Sequence, residues 1–213
     1  MTAAVQDWTR VMNQARVKLP GASDSGIKGE LFDVFQEFFN DSSCWLEALT
    51  FNVLPNVVVY DIVPTEGGVI RLAGVVDSHG SPQPSMMPNF GQVALSRIPS
   101  VADTFTAVAV LNVDLPVDKN AFPVVPSWVL PIYSTGILDG LLGRMMGHAS
   151  KSYSNATLSM FHLRKFKSAI VGARIATLRN NTFGTQAWSY PQAFRTMGQR
   201  GGVSIGNDTR FTT

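Results

Sequence analysis

Hydrophobic positions along the 213-residue chain change their period from segment to segment, and each change marks a new kind of element. From Thr2 to Val17, residues Val5, Trp8, Met12 and Ala15 recur at helical spacing on one face, and "LPG" at Leu19–Gly21 stops the run. After "SDSG", residues Ile27, Leu31, Val34, Phe35, Phe38 and Phe39 keep steps of three and four, while Lys28, Glu30, Asp33, Gln36 and Glu37 take the other side. This predicts a second, amphipathic helix. Asp24 or Ser25 is its expected cap, Asn40–Ser43 its frayed end, and "CWLEAL" a further turn.

Between Thr50 and Leu115 the period shortens. "TFNVL", "NVVVYDIV", "VIRLAGVVD", "QVALSRI" and "TFTAVAVLNVDL" are rich in β-branched and aromatic residues and are separated by Pro- and Gly-containing breaks. "EGG" at Glu66–Gly68 reads as a tight hairpin turn, and "VVDSHGSPQP" as a second hairpin with a longer tip. The loop Ser78–Gly91 holds three prolines and no hydrophobic period, so it is expected to be exposed. The segment reads as a small antiparallel sheet or sandwich.

Helical spacing returns after "PVDKNAFPVVPSW", with Ser127 as the expected cap and Pro131 still within the first turn. This third helix runs to about Gly147. Gly136, Gly140 and Gly147 make a stripe down one side, with Gly143 beside it. Each interior glycine costs up to ~1 kcal/mol against alanine, so such a stripe points to close approach of another backbone. A fourth helix, Ser154 to about Arg179, offers Ala169, Gly172, Ala173 and Ala176 as the facing small residues. Arg164, Lys167 and Arg174 share another of its faces, with Lys165 and Arg179 beside it. After Asn181 no helical or strand period remains.

These segments predict an α+β fold: a bundle of about four helices with an inserted small antiparallel β module and an extended C-terminal arm. The expected divisions are N-terminal helices in 1–49, the β module in 50–118, a helical pair completing the bundle in 119–181, and the arm in 182–213.

Composition sharpens this picture in three ways. Only 15% of residues are charged, against about 25% in an average protein, so much surface is either uncharged polar or covered by partners. Charge is also segregated. Residues 1–139 hold seven Lys and Arg against fourteen Asp and Glu, and residues 140–213 hold ten against the single Asp208. The halves either meet separate partners or neutralise each other, within one fold or between copies. The arm, finally, is rich in Phe183, Trp188, Tyr190, Phe194 and Phe211, with Arg195, Arg200 and Arg210 among them. Disordered tails are poor in aromatics, and aromatics with arginine anchor interfaces. The arm therefore reads as a segment that folds onto a partner, the alternative being an arm that packs on its own domain.

No constellation for catalysis stands out. The sequence has no Gly-x-Ser-x-Gly elbow, no phosphate-cradling Gly-x-x-x-x-Gly-Lys loop and no His-Glu-x-x-His pair. His79, His148 and His162 lack metal-ligand spacing, and Cys44 alone cannot build a thiolate site or an internal disulfide. Cys44 reads as a small buried hydrophobe, His148 as a partner of a helix C-terminus, and the Asp33/Glu37 pair as solvated. The expectation is a non-enzyme with no cofactor and no metal. "MTAAVQDWTR" carries Asp7 and Trp8 where a signal peptide needs an apolar core. The apolar stretch Trp128–Met146 is broken by Pro131, Asp139 and Arg144, short of the ~20 clean residues of a membrane span. A soluble, intracellularly made protein is expected. The basic helix and arm keep phosphate-level binding of double-stranded DNA open as an alternative.

The order of parts resembles a known family. Helices ending in "EFFNDSSCWLEALTFNV" are followed by "VVVYDIVPTEGGVIRLAGVVDSHGSP". Then come "VPSWVLPIYSTGILDGLLGRMMGHASKSYSNATLSMFHLRKFKSAIVGARIATLRNN" and the arm. This is similar to the head-to-tail adaptors of short-tailed bacteriophages, the gatekeeper or tubular tail protein A type of connector. Trp45, Phe51, Tyr60, Pro126, Trp128, Arg144, Ser152–Asn155 and Arg174 stand at comparable places. The resemblance covers nearly the whole chain, through shape-giving rather than catalytic motifs. It implies a virion protein of the head-tail junction, made in the host bacterial cytoplasm. It further implies dodecameric rings of copies around the channel for viral double-stranded DNA. The C-terminal helix and arm would bind the portal protein, and the β module would face the next tail component, a nozzle or fibre. A head-completion protein lower in the connector stack shares the layout. The Pro-rich loop Ser78–Gly91 departs from the family pattern.

Overall fold

A computed structural model describes residues 8–114 and 124–179. The described residues belong to one unit spanning Met1–Asn181. Among the described residues four helices and six strands follow in the order α1 (Thr9–Lys18), α2 (Asp24–Ser42), β1 (Leu46–Val53), β2 (Val59–Asp61), β3 (Gly68–Val76), β4 (Ser85–Met86), β5 (Gln92–Leu95), β6 (Asp103–Asn112), α3 (Val129–Met146) and α4 (Ala156–Leu178). The α+β class, with helices enclosing an inserted antiparallel β module, is the one the periodicities predict.

The helices bury the stripes their spacing defines. Ile27, Leu31, Val34, Phe35, Phe38 and Phe39 of α2 are all inaccessible to solvent. Trp8 packs edge-on against Phe35 at 4.6 Å between ring centres, which seats α1 on α2. The cap of α2 is Ser23, not Asp24 or Ser25; its Oγ accepts from the Gly26 N–H at 3.2 Å. Ser43 ends the helix with φ at 53°, and a strand begins where "CWLEAL" suggests another turn. Leu49, Phe51 and Val53 alternate inward, and pairing with β6 carries the strand back to Leu46, so β1 starts earlier than Thr50. Short apolar runs fit either period, and here the pairing with β6 decides.

The β module is two three-stranded antiparallel sheets, ordered β1-β6-β3 and β2-β5-β4. β1 runs in unbroken register with β6, from Leu46 opposite Val110 to Val53 opposite Asp103. Gly67 in "EGG" does take positive φ, at 72°. The turn nevertheless joins β2 to β3 across two different sheets rather than closing a hairpin. The second turn closes on itself through a single bridge, although the strands on either side of it, β3 and β4, also belong to different sheets. Asp77 Oδ1 accepts from the N–H groups of His79 and Ser81, Gly80 takes φ 79°, and Val76 bridges to Pro82. The Pro-rich loop is mostly exposed but contributes β4, which pairs with β5.

One hydrophobic core runs through both parts. Phe39 meets Trp45 at 5.2 Å between ring centres, carrying the bundle's core to the foot of β1. Phe51 then packs on Tyr60 and Phe105, one from each sheet. Asn112, at the end of β6, donates from Nδ2 to the Gln36 carbonyl. α3 and α4 form an antiparallel hairpin. The cap of α4 is Asn155, whose Oδ1 accepts from Leu158 N–H, while Trp128, not Ser127, precedes α3 and makes no side-chain cap.

Candidate interaction surfaces

The glycines of α3 sit against α4 and α2. A Cβ on Gly136 would lie 2.6 Å from Ala169 Cβ, and one on Gly140 would lie 2.8 Å from Val34 Cγ1 and 2.9 Å from Phe166 Cδ2. At Gly143 it would meet Leu163 at 2.8 Å, and at Gly147 it would meet Ser159 Oγ at 3.1 Å. Real Cβ atoms do not tolerate the shorter of these separations, so the stripe sets how closely the hairpin closes. Ser159 adds a donor to this seam, bonding the Gly143 carbonyl at 2.6 Å. On α4, Ala173 is buried and Ala176 half-buried. Gly172 is a correction: it is exposed, and a Cβ there would meet nothing within 4 Å. It lies on the outer side of α4, away from the glycine stripe.

The acidic side of α2 is not simply solvated. Glu30, Asp33 and Glu37, at steps of three and four, converge on Arg144 of α3. Its Nε, Nη2 and Nη1 donate to the three carboxylates at 2.9, 3.1 and 3.2 Å. Burial works against the Arg144 charge. The Glu30 hydrogen bond and the fields of Glu30, Asp33 and Glu37 outweigh that and hold its pKa above the ordinary arginine value. His148 reaches Glu30 from the end of α3, at 3.1 Å. Lys167 of α4 donates to Glu37 and to Asp41, which raise its pKa. An open groove of about 610 Å³ runs beside this network, walled by Asp33, Glu37, Asp41 and Asn112. The opposite charges of the two halves of the chain are thus partly matched inside the fold. The sequence signal was present, because the acids of α2 share one helical face, but nothing local names Arg144 as their partner.

The basic row on α4 divides accordingly. Lys167 faces α2 and is consumed by it. Arg164, Lys165 and Arg174 are exposed and make no ion pair among the described residues. Lys165 Nζ instead sits 4.7 Å from the Phe161 ring centre. Arg179 is exposed just beyond the helix.

Two further polar groups are placed by the core. Asp139 and His162 are both buried, and a hydrogen bond of 2.7 Å between His162 Nδ1 and Asp139 Oδ1 bridges α3 to α4. Sequence spacing does not reveal this pair, since the two residues meet only across the hairpin. Cys44 is buried as expected, and burial pushes its thiol up to about 11. Among the described residues no group of three or more His, Cys, Asp or Glu is arranged to hold a metal ion. No described helix is long and apolar enough to cross a membrane. The arm residues Phe183, Trp188, Tyr190, Phe194, Arg195, Arg200 and Arg210 lie outside the described residues.

No protein-family model matches the chain, and no curated protein is significantly similar to it.

Proposed function

We propose that the chain is a structural virion component: a head-to-tail adaptor that forms a ring beneath the portal, links it to the tail and surrounds the DNA channel. The observation that carries this reading is the division of α4 into two faces. One closes the bundle on α3 and α2; the other presents Phe161, Val171, Ile175 and Leu178 to solvent and leads directly into the aromatic and arginine-containing arm. A helix apolar on two sides suits a part flanked by neighbours. The order of bundle, β module, helical pair and arm supports it, as does the low charged fraction. In this reading the working residues are contact residues; none is catalytic and no cofactor takes part.

The test is docking. Purified full-length chain mixed with portal rings is expected to appear by electron microscopy as an added ring. Deleting 182–213 is expected to abolish that layer while circular dichroism of the remainder is unchanged. Undiminished docking by the truncated chain would remove the arm's role, and no docking by the full chain would remove the adaptor reading.

A second reading, sequence-independent binding of double-stranded DNA, is favoured by Arg164, Lys165 and Arg174, which make no ion pair among the described residues. It requires affinity for linear DNA that falls steeply with salt. The acidic groove of α2 next to Lys167 interrupts any continuous basic track on that side. Absence of DNA binding at low salt would exclude this second reading.

A further inference from the structure

The last helix carries two seams. The inner one, through Ser159, His162, Phe166, Ile170 and Ala173, is buried in the bundle. The outer one runs through Phe161, Arg164, Ser168, Val171, Ile175 and Leu178 in alternating steps of three and four. That is the heptad spacing by which one helix stays in register along another. Its apolar members are open to solvent: Phe161 is 50% exposed, Val171 55%, Ile175 43% and Leu178 75%. Ser168 and Gly172 leave a low strip among them. Gly172 costs helix stability of up to ~1 kcal/mol, yet nothing among the described residues uses the space above it.

Charge decides what fits the strip. α4 contains no Asp or Glu; Lys165 and Arg174 flank the seam and Arg164 stands within it, all without ion pairs among the described residues. A second copy of α4 would set basic against basic. The acidic helix of a second copy, α2, has its apolar stripe buried in its own bundle. The segment 182–213 carries three arginines against Asp208, so it too has the wrong sign.

We propose that the outer seam of α4 is a docking site for an amphipathic α-helix of a different protein, one with small or aliphatic residues at heptad positions and Asp or Glu on its flanks. Contact area comes from Val171, Ile175 and Leu178, close approach from Ser168 and Gly172, and partner choice from the flanking cations. This rests on the adaptor reading and deepens it by naming the chemistry of the partner at the outer face of α4; helix binding without portal docking, or docking without helix binding, tells the failure of one from the failure of the other.

The experiment uses the full chain and two fluorescent synthetic helices of three heptads, with Leu and Ala in the seam and either Glu or Lys on the flanks. Fluorescence anisotropy is expected to show the Glu helix binding about tenfold or more tighter than the Lys helix, with an advantage that shrinks as salt rises. Val171→Asp with Ile175→Asp is expected to abolish binding. Gly172→Leu, which fills the strip without adding charge, covers the case in which the double variant loses its fold, and is expected to weaken binding about tenfold. Equal affinity for both helices, no affinity for either, or full binding by Gly172→Leu would overturn the proposal. So would sedimentation of the chain alone as an oligomer that Val171→Asp/Ile175→Asp dissociates, because the seam would then belong to a second copy.

Discussion

At the scale of single residues, the chemistry of this chain is set by what surrounds each group. Cys44 is enclosed beside Ser42, and burial raises its thiol to about 11, so the thiolate is scarce at neutral pH. It is expected to resist a disulfide reagent at pH 8 in the native protein and to react fully once unfolded in denaturant. Prompt native labelling would contradict its enclosure. Asp77 behaves in the opposite sense. The Ser81 N–H, the Gln83 amide and the His79 N–H stabilise its carboxylate and lower its pKa. A depressed carboxyl pKa gives stability that is present above the unfolded value and lost as pH falls through the folded one. A carbon-detected titration is therefore expected to place the Asp77 midpoint below that of a free aspartate, and Asp77→Asn is expected to loosen the turn at neutral pH but not in acid. The fate of Cys44 was legible from its apolar neighbours. The Asp139–His162 pair was not, because its two members are brought together only by the register of α3 on α4.

At the scale of elements, the glycines of α3 and α4 make opposite predictions. Gly140→Ala inserts a methyl group against Val34 and Phe166, and is expected to cost about 1–3 kcal/mol in denaturant unfolding. Gly172→Ala meets nothing, and is expected to stabilise the isolated chain by about 0.5–1 kcal/mol through helix propensity alone. Similar effects at the two positions would mean that the hairpin is packed differently. Arg144→Leu leaves Glu30, Asp33 and Glu37 facing one another without their shared cation, and is expected to destabilise by about 1–3 kcal/mol. The glycine stripe was readable in the sequence because three glycines within one helix and a fourth at its end demand a steric reason. Gly172 was misread because composition shows that a residue is small without showing which side of the helix it occupies. The "EGG" turn was misread for a related reason: Gly67 fixes a local conformation, but pairing partners many residues away decide which sheet each strand joins.

For the molecule as a whole, the feature that matters is the single core running from bundle to β module through Phe39 and Trp45. Helical ellipticity and tryptophan fluorescence are therefore expected to report one unfolding transition with a common midpoint. Phe39→Ala is expected to lower that midpoint in both signals, at a cost of about 3–5 kcal/mol. Two separated transitions would show that the parts are energetically independent. The charge asymmetry between the two halves was visible from composition, but its meaning was not. Only the fold shows that Arg144 and Lys167 neutralise much of α2 while Arg164, Lys165 and Arg174 remain outward.

The same architecture imposes a schedule on synthesis. The phenylalanine stripe of α2 is complete by Phe39, but α3, which covers part of it, begins at Val129, with the β module in between. At ~5–20 residues per second, a nascent chain would hold that stripe uncovered for on the order of 5–20 s before its lid is made. A polypeptide arranged this way leaves the ribosome with its stickiest surface exposed first and sheltered last. Its yield in the cell therefore depends on how well that interval is guarded.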